Sequence, residues 1–531
     1  MTTSASATTL RVQPAPPRQQ LGTPVIILSL ILAVAGVAGA RLFDFPPLQV
    51  AVLPAILCAV ARPQFFLMLA VAFIPYTFSL ANGAGAASPV GKATGVAPPV
   101  SGGGIGAEFG ISDVLLLMAL PGLLAKAISR PSRIRLGVMT GPILLYLIVG
   151  LVSFVVNVPL MHGAAMSFFV AYARSMQIIL LIPVLFMAVE WTINELRGLI
   201  RAYLYGALVM GVYGIISFIM GQRDGLYILG NHKNGVGLAL AFAVLIAAAA
   251  LTQPPDLNSG GLLEPQPLNI NRNFLLTCLG ICSAALICSL SRGSVLCSLV
   301  GLFYLSRIRK RGRIFGIVLL VLSVGVFGLI FLLPEKQVNY ISNYSVNDKN
   351  SVNDRNNATR IDQSLLAWKR FEANPLLGDG YRTRKEILPH NLEATLLGET
   401  GALGIIAFFW MFITQTKFYI RARKLFTGDP LRETLIVSFS VCAIAIMVHA
   451  QFDPYWRRGP LWLPWLGVGI VATMVLQEYQ ARRRVRALAQ AQEDSEWWAQ
   501  RAERAALRQA EAAERDRLSA NRKASDDSAT A

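Results

Sequence analysis

Runs of about twenty apolar residues follow one another through most of the chain, and a bilayer core of roughly 30 Å takes about 20 such residues per helix. About fourteen candidates stand out, near residues 24–42, 45–61, 65–82, 110–126, 138–158, 168–190, 202–220, 235–252, 273–290, 294–305, 314–334, 394–416, 434–451 and 459–478. In lipid a backbone must satisfy its own N–H and C=O groups, so runs of this length fold as helices. The expected architecture is an all-α, polytopic transmembrane helix bundle of about 12–14 helices. Composition agrees: 54% of the 531 residues are hydrophobic and 15% charged, where soluble proteins carry about 25% charged residues. Too few polar side chains remain to cover a water-soluble surface, which excludes an ordinary soluble enzyme. The net charge of +18 fits cytoplasmic loops better than a nucleic-acid surface, so no nucleic-acid partner is expected.

Orientation follows from the short basic loops, because cytoplasmic loops keep the Lys and Arg excess. Residues 126–135, 306–313 and 417–424 are strongly basic and fall on one side of the bundle. Both termini are then cytoplasmic, and in a Gram-negative bacterium the opposite face is periplasmic and the protein sits in the bacterial inner (cytoplasmic) membrane. Three parts are expected: a cytoplasmic N-terminal segment, 1–23; a transmembrane domain, 24–480; and a cytoplasmic helical tail, 481–531. The tail opens with ARRRVR, suited to anionic lipid head groups, and continues with Glu and Arg at helical spacing. Its later half suits either a solvated helix or pairing with a second copy or a partner.

The opposite face receives the Gly- and Pro-rich connector 83–109, short turns at 221–234 and 291–293, the loop 335–393 and the turn 453–459. Within 335–393 a hexapeptide occurs twice, SVNDKN at 345 and SVNDRN at 351. Its Asp and Asn spacing fits no EF-hand loop, and solvated turns are expected there. RIDQSLLAWKRF (360–371) has helical periodicity with Ile361, Leu365 and Trp368 on one side, as a short helix lying at the interface would. The six cysteines sit in apolar runs and the four histidines are far apart in sequence, so neither a disulfide framework nor a metal site is expected.

Charges held at a membrane rim need partners or a function. Arg292 lies in the tight break Ser291-Arg292-Gly293, and Arg360 opens the amphipathic segment. His390 and Asn391 stand where the outer loop re-enters the membrane, ahead of Glu399-Thr400-Gly401. Arg offers a rigid fork of donors that matches phosphate oxygens, so two converging Arg suit a lipid diphosphate. His390 is the natural proton acceptor near neutral pH. Arg382, Arg384 and Lys385 add positive charge just before it, and Asp453, Arg457 and Arg458 are further candidates around the site. Arg174 is an exception, a cation inside an apolar run.

NHKNGVGLALAFAVLIA (231–247), SLSRGSVLCSLVGLFYL (289–305), RIDQSLLAW (360–368), NPLLGDGY (374–381) and HNLEATLLGETGALGIIAFF (390–409) occur in this order. The series resembles the O-antigen ligase and polymerase superfamily over residues 231–409. Asp379, between two glycines of NPLLGDG, stands at a variable position of the pattern.

The resemblance implies a metal-independent glycosyltransferase with no cofactor. It would take a saccharide from an undecaprenyl-diphosphate-linked donor to a hydroxyl of an acceptor glycan or lipid A core on the periplasmic side. It also implies diphosphate binding by Arg292 and Arg360 and a catalytic base at His390; Asn391, Arg382 and Arg384, from their places beside His390, are further substrate-binding candidates. Ligase, polymerase and protein glycosylase remain open within this chemistry. A transporter or flippase of lipid-linked saccharide is the alternative from another class, in which the same arginines bind and nothing reacts.

Overall fold

The computed structural model describes residues 62–76, 111–129, 136–157, 165–220, 233–253, 263–310, 316, 352–380, 391–452 and 461–529. Helix accounts for 87% of the structure with no strand among the described residues, which makes the fold all-α. In chain order the helices are α1 (Pro63–Phe73), α2 (Ile111–Ser129), α3 (Thr140–Asn157), α4 (Ala165–Met176), α5 (Ile182–Met187), α6 (Ile193–Ile219) and α7 (Lys233–Leu251). They continue with α8 (Arg272–Cys288), α9 (Arg292–Arg309), α10 (Val352–Ala373), α11 (Leu392–Leu425), α12 (Pro430–His449) and α13 (Trp462–Ala529).

Six of these are long and apolar enough to cross a membrane: α2, α3, α6, α7, α11 and α12. The protein is a polytopic membrane protein. Burial sorts the six by position. In α7 and α12, 89% and 83% of the spanning window is buried, against 44% in α2 and α3, so the first pair is central and the second meets lipid. The sequence of α7, NGVGLALAFAVLIAAAAL, suits the centre because small side chains let neighbouring backbones approach. A Cβ on Gly237 would stand 2.6 Å from the Ser294 hydroxyl, and one on Gly301 would stand 2.7 Å from Leu245. On α3, Leu144, Ile148, Leu151 and Val155 face outward, as a lipid-facing stripe does.

Two helices are longer at one end than their apolar runs. Thr192 caps α6 by accepting from the Glu195 backbone while the Glu195 carboxylate accepts from the Thr192 backbone, a reciprocal pair that starts the helix ahead of its apolar run. The 18 residues of α9 reach about 27 Å, far enough to cross, although polar Ser and Arg residues dilute its hydropathy. Leu290, just before α9, takes a left-handed φ of 53°, held by Ser289, whose hydroxyl accepts from the Ser291 backbone.

Other expectations are corrected. The second copy of the repeated hexapeptide is no turn, since Val352 and the residues after it already belong to α10. The last apolar run and the tail do not form separate helices; α13 is continuous from Trp462 to Ala529. The apolar run from residue 65 stops early, because Pro75 follows and α1 ends at Phe73. The runs at 24–42 and 45–61 lie outside the described residues, as does 314–334 apart from residue 316.

The chain divides into two compact units. One comprises Ala15–Gly261 and Pro265–Val475; the other comprises Met1–Pro14, Leu262–Glu264 and Leu476–Ala531. In the second, Glu478 accepts from the Leu263 backbone at 3.1 Å and from Arg482 at 2.9 Å. Farther along, the Arg501 guanidinium lies 5.0 Å from the Trp497 ring centre, on an otherwise exposed helix.

Candidate functional site

The NPLLGDG segment and the GETG turn form a backbone clasp. Gly401 interrupts α11 with φ 64° and ψ −162°, so the carbonyls around it lose their helical partners. Residues 375–380 supply replacements. Asp379 N–H donates to Gly398 O at 2.9 Å and Gly380 N–H to Glu399 O at 3.1 Å; Ala402 N–H donates back to Pro375 O at 2.8 Å and Leu403 N–H to Leu376 O at 3.2 Å. The approach is too close for side chains: a Cβ on Gly378, where φ is 63°, would stand 2.6 Å from the Glu399 carbonyl carbon. From α3, the Ser153 hydroxyl reaches Leu377 O at 2.6 Å and Glu399 O at 2.9 Å, while the Asn157 amide donates to Gly378 O at 3.0 Å. Asp379 accepts from the Asn374 amide at 2.7 Å and faces Arg370 at 3.8 Å.

The clasp ties α10 to α11 and leaves a pocket of about 470 Å³ between α10, the start of α11 and the end of α12. From α10 come Arg360, Ile361, Ser364, Leu365 and Trp368, at spacings that share one helical face. Asn391 caps α11, its Oδ1 accepting from Ala394 N–H at 3.1 Å. Gln451 and Phe452 close the pocket in the turn after α12. That turn is joined to α11 by Leu392 N–H donating to Ala450 O at 3.0 Å. The Trp368 indole is fixed by donating to Glu372 at 2.7 Å. The cavity lining thus combines apolar Ile361, Leu365, Trp368 and Phe452 with polar Arg360, Ser364, Asn391 and Gln451.

Arg292 is the first residue of α9 and is exposed, with Ser291 as N-cap. Its neighbour Gly293 lies under Phe452, where a Cβ would stand 3.0 Å from the Phe452 Cβ. Arg292 therefore stands at the same end of the bundle as the pocket, one residue from its wall. His390, Arg382, Arg384, Lys385, Asp453, Arg457 and Arg458 lie outside the described residues.

At the opposite end of the bundle, α9, α11 and α12 bring together a second cluster of charges, most of it buried. Arg309 of α9 donates to Glu433 of α12 at 2.6 Å, and Arg423 of α11 donates to Glu433 at 3.2 Å. Arg432 pairs with Asp429, the N-cap of α12. Burial pushes the Asp429 carboxyl above its ordinary value, while Arg432 pulls it back. Residues 306–310 and 417–424 thus lie at one end of the bundle, opposite Arg292, Arg360 and Asn391.

Residues 277–409 match the family model described as O-antigen ligase. Over that segment, about a quarter of the chain, the protein is similar to O-antigen ligases, which supports a relationship to the O-antigen ligase and polymerase superfamily. The matched segment holds Arg292, the amphipathic α10, the clasp and Asn391, and it begins after the 231–247 stretch. No curated protein matches the chain.

Three residues at or behind the pocket had no motif to announce them. Gln451 and Phe452 lie beyond the matched segment. Glu393, from whose carboxylate Gln451 hangs, sits inside it as one of many polar residues. A polar residue directly after the apolar run of α12 is the only trace of Gln451 in the sequence. Arg174, singled out as a cation in an apolar run, is buried against Asp113 of α2 and donates to Gln177 at 2.7 Å. It lies 5.9 Å from the Trp462 ring centre.

Proposed function

We propose that the protein is a glycosyltransferase of the O-antigen ligase or polysaccharide polymerase type, acting at the periplasmic face of the inner membrane. It moves a saccharide from an undecaprenyl-diphosphate-linked donor to a hydroxyl of an acceptor glycan or lipid A core. Both termini and the Arg309–Glu433–Arg423 end of the bundle are cytoplasmic in this reading. The observation that carries it is the pocket, an apolar cleft lined by the Arg360 guanidinium at the bundle end that bears Arg292. A lipid diphosphate likewise combines charge with hydrocarbon.

In the reaction the acceptor oxygen bonds to the anomeric carbon as the bond from that carbon to the diphosphate oxygen breaks, with inversion. The hydroxyl proton passes to His390, and the charge left on the diphosphate is neutralised by Arg292 and Arg360. Diphosphate is a good leaving group, so donors aimed at its developing charge contribute more than base catalysis. Arg382 and Arg384 attract donor or acceptor, and Asn391 contacts the substrate. No metal or cofactor enters this scheme.

A transporter of lipid-linked saccharide draws support from the Arg174–Asp113 pair, since transporters keep ionisable groups within the bundle. Both side chains are nonetheless 4% exposed or less and occupied with one another, whereas the pocket is open. The test is transfer by purified protein from lipid-linked donor to acceptor glycan, with Arg360→Ala losing transfer and donor binding together. Unchanged donor affinity in Arg360→Ala would remove that residue from the diphosphate site.

A further inference from the structure

The pocket lining holds two amides whose orientations are fixed independently. Gln451 Nε2 donates to the Glu393 carboxylate, and more distantly to Met447 O at 3.4 Å. A carboxylate only accepts, so the Gln451 amide must turn its NH₂ toward Glu393 and its Oε1 away. Among the described residues Glu393 Oε2 has no hydrogen-bond partner, so Gln451 is the main holder of this carboxylate. Asn391 is oriented from the other side. Its Oδ1 is taken by Ala394 N–H, which leaves Nδ2 to donate. Asn391 Nδ2 and Gln451 Oε1 are 3.5 Å apart, at the outer limit of a hydrogen bond, so neither satisfies the other well. The pocket therefore presents a donor and an acceptor side by side, in a cavity also lined by Trp368 and Phe452.

A diphosphate cannot use this pair in full. Its oxygens only accept and would face Gln451 Oε1 as one acceptor faces another. A hydroxyl that donates is needed there, and a second group that accepts is needed at Asn391. Neighbouring hydroxyls of a sugar ring meet both demands while the C–H face of the ring lies against an aromatic side chain.

We propose that Gln451 and Asn391 recognise two neighbouring hydroxyls of a saccharide in this pocket, and that Glu393 is the positioning residue that fixes the Gln451 amide. The inference rests on the pocket being the substrate site proposed above. The saccharide belongs either to the donor or to the acceptor, and the two are separable.

The probes are bare undecaprenyl diphosphate and the glycosylated form extracted from the cells that make it, bound to the purified full-length protein, together with transfer kinetics toward the acceptor glycan of the same cells. In Gln451→Leu, about a 5- to 30-fold fall in the affinity ratio of glycosylated to bare lipid assigns the pair to the donor sugar. A comparable rise in the KM for acceptor, with that ratio intact, assigns it to the acceptor. Glu393→Gln should move the same quantity less, because the Gln451 amide is then free to turn. The reversed pair Glu393→Gln with Gln451→Glu should recover most of it, since an amide again faces a carboxylate and an oxygen again faces the pocket.

If Gln451→Leu moves neither the ratio nor the KM, the inference is wrong. The same holds if it weakens both lipids equally with acceptor KM unchanged, or if the reversed pair recovers nothing. Should the wild-type protein bind neither lipid, the donor-site reading itself fails, a result distinct from the others.

Discussion

Phosphate recognition in this account depends on the shape of two side chains as well as on their charge. Arg292 is exposed at the first turn of α9 and Arg360 lines the pocket half-buried, so both accept Lys without loss of packing. Lys is a point charge and cannot span two phosphate oxygens. Arg292→Lys and Arg360→Lys are each expected to lower transfer by roughly tenfold or more at normal protein abundance. Full activity of both would make them anchors at the rim. His390→Gln keeps a hydrogen-bonding group but cannot take a proton, and a general base contributes roughly 100- to 10,000-fold. Its transfer rate should fall within that range with donor affinity retained. A near-normal rate would remove the base role. Arg292 and Arg360 stand out in the sequence because charge at an apolar boundary is conspicuous, and the structure places both at the pocket end of the bundle. Gln451 does not, because an uncharged amide one residue past a helix carries no such contrast, and its meaning comes only from Glu393 across the turn.

Among the elements, the clasp is where sequence and structure part most usefully. NPLLGDG and GETG could be read as a motif pair, yet nothing in either string says that one repairs the broken hydrogen bonds of the other. Two glycines at positive φ make that repair possible, Gly378 and Gly401, and each meets backbone where a Cβ would be. Gly378→Ala should therefore destabilise the protein by about 2 kcal/mol or more, combining left-handed strain with a steric clash. Ser153→Ala, which leaves two carbonyls short of one hydroxyl, should cost only about 1 kcal/mol. Thermal unfolding in detergent measures both. Equal effects would mean that the clasp is looser than its geometry. Helix existence was plain from the apolar runs, whereas helix ends were not: the Thr192–Glu195 capping box and the polar residues of α9 extend helices where hydropathy alone stops.

On the scale of the whole molecule, α11 and α12 help to form the pocket at one end, and at their other end they join α9 in the ion-pair cluster of Arg309, Glu433 and Arg423. The tail beyond about residue 485 belongs with neither. Its truncation should leave transfer largely intact wherever the shortened protein accumulates, and loss of activity at normal abundance would show that the tail takes part. Orientation follows the basic residues at the Arg309–Arg423 end. A cysteine placed at Asn350 should react with a membrane-impermeant reagent in intact cells with a permeabilised outer membrane, and one at Gly312 should not. The reverse pattern would turn the bundle over. The central claim, that this pocket transfers a saccharide and does not merely carry one, is tested by reconstituting the purified protein in liposomes with glycosylated undecaprenyl diphosphate and acceptor glycan. A new glycosidic bond should form with one undecaprenyl diphosphate released per saccharide transferred, and Arg360→Lys should abolish or strongly slow it. Movement of intact donor between leaflets with no glycosidic product would contradict the claim.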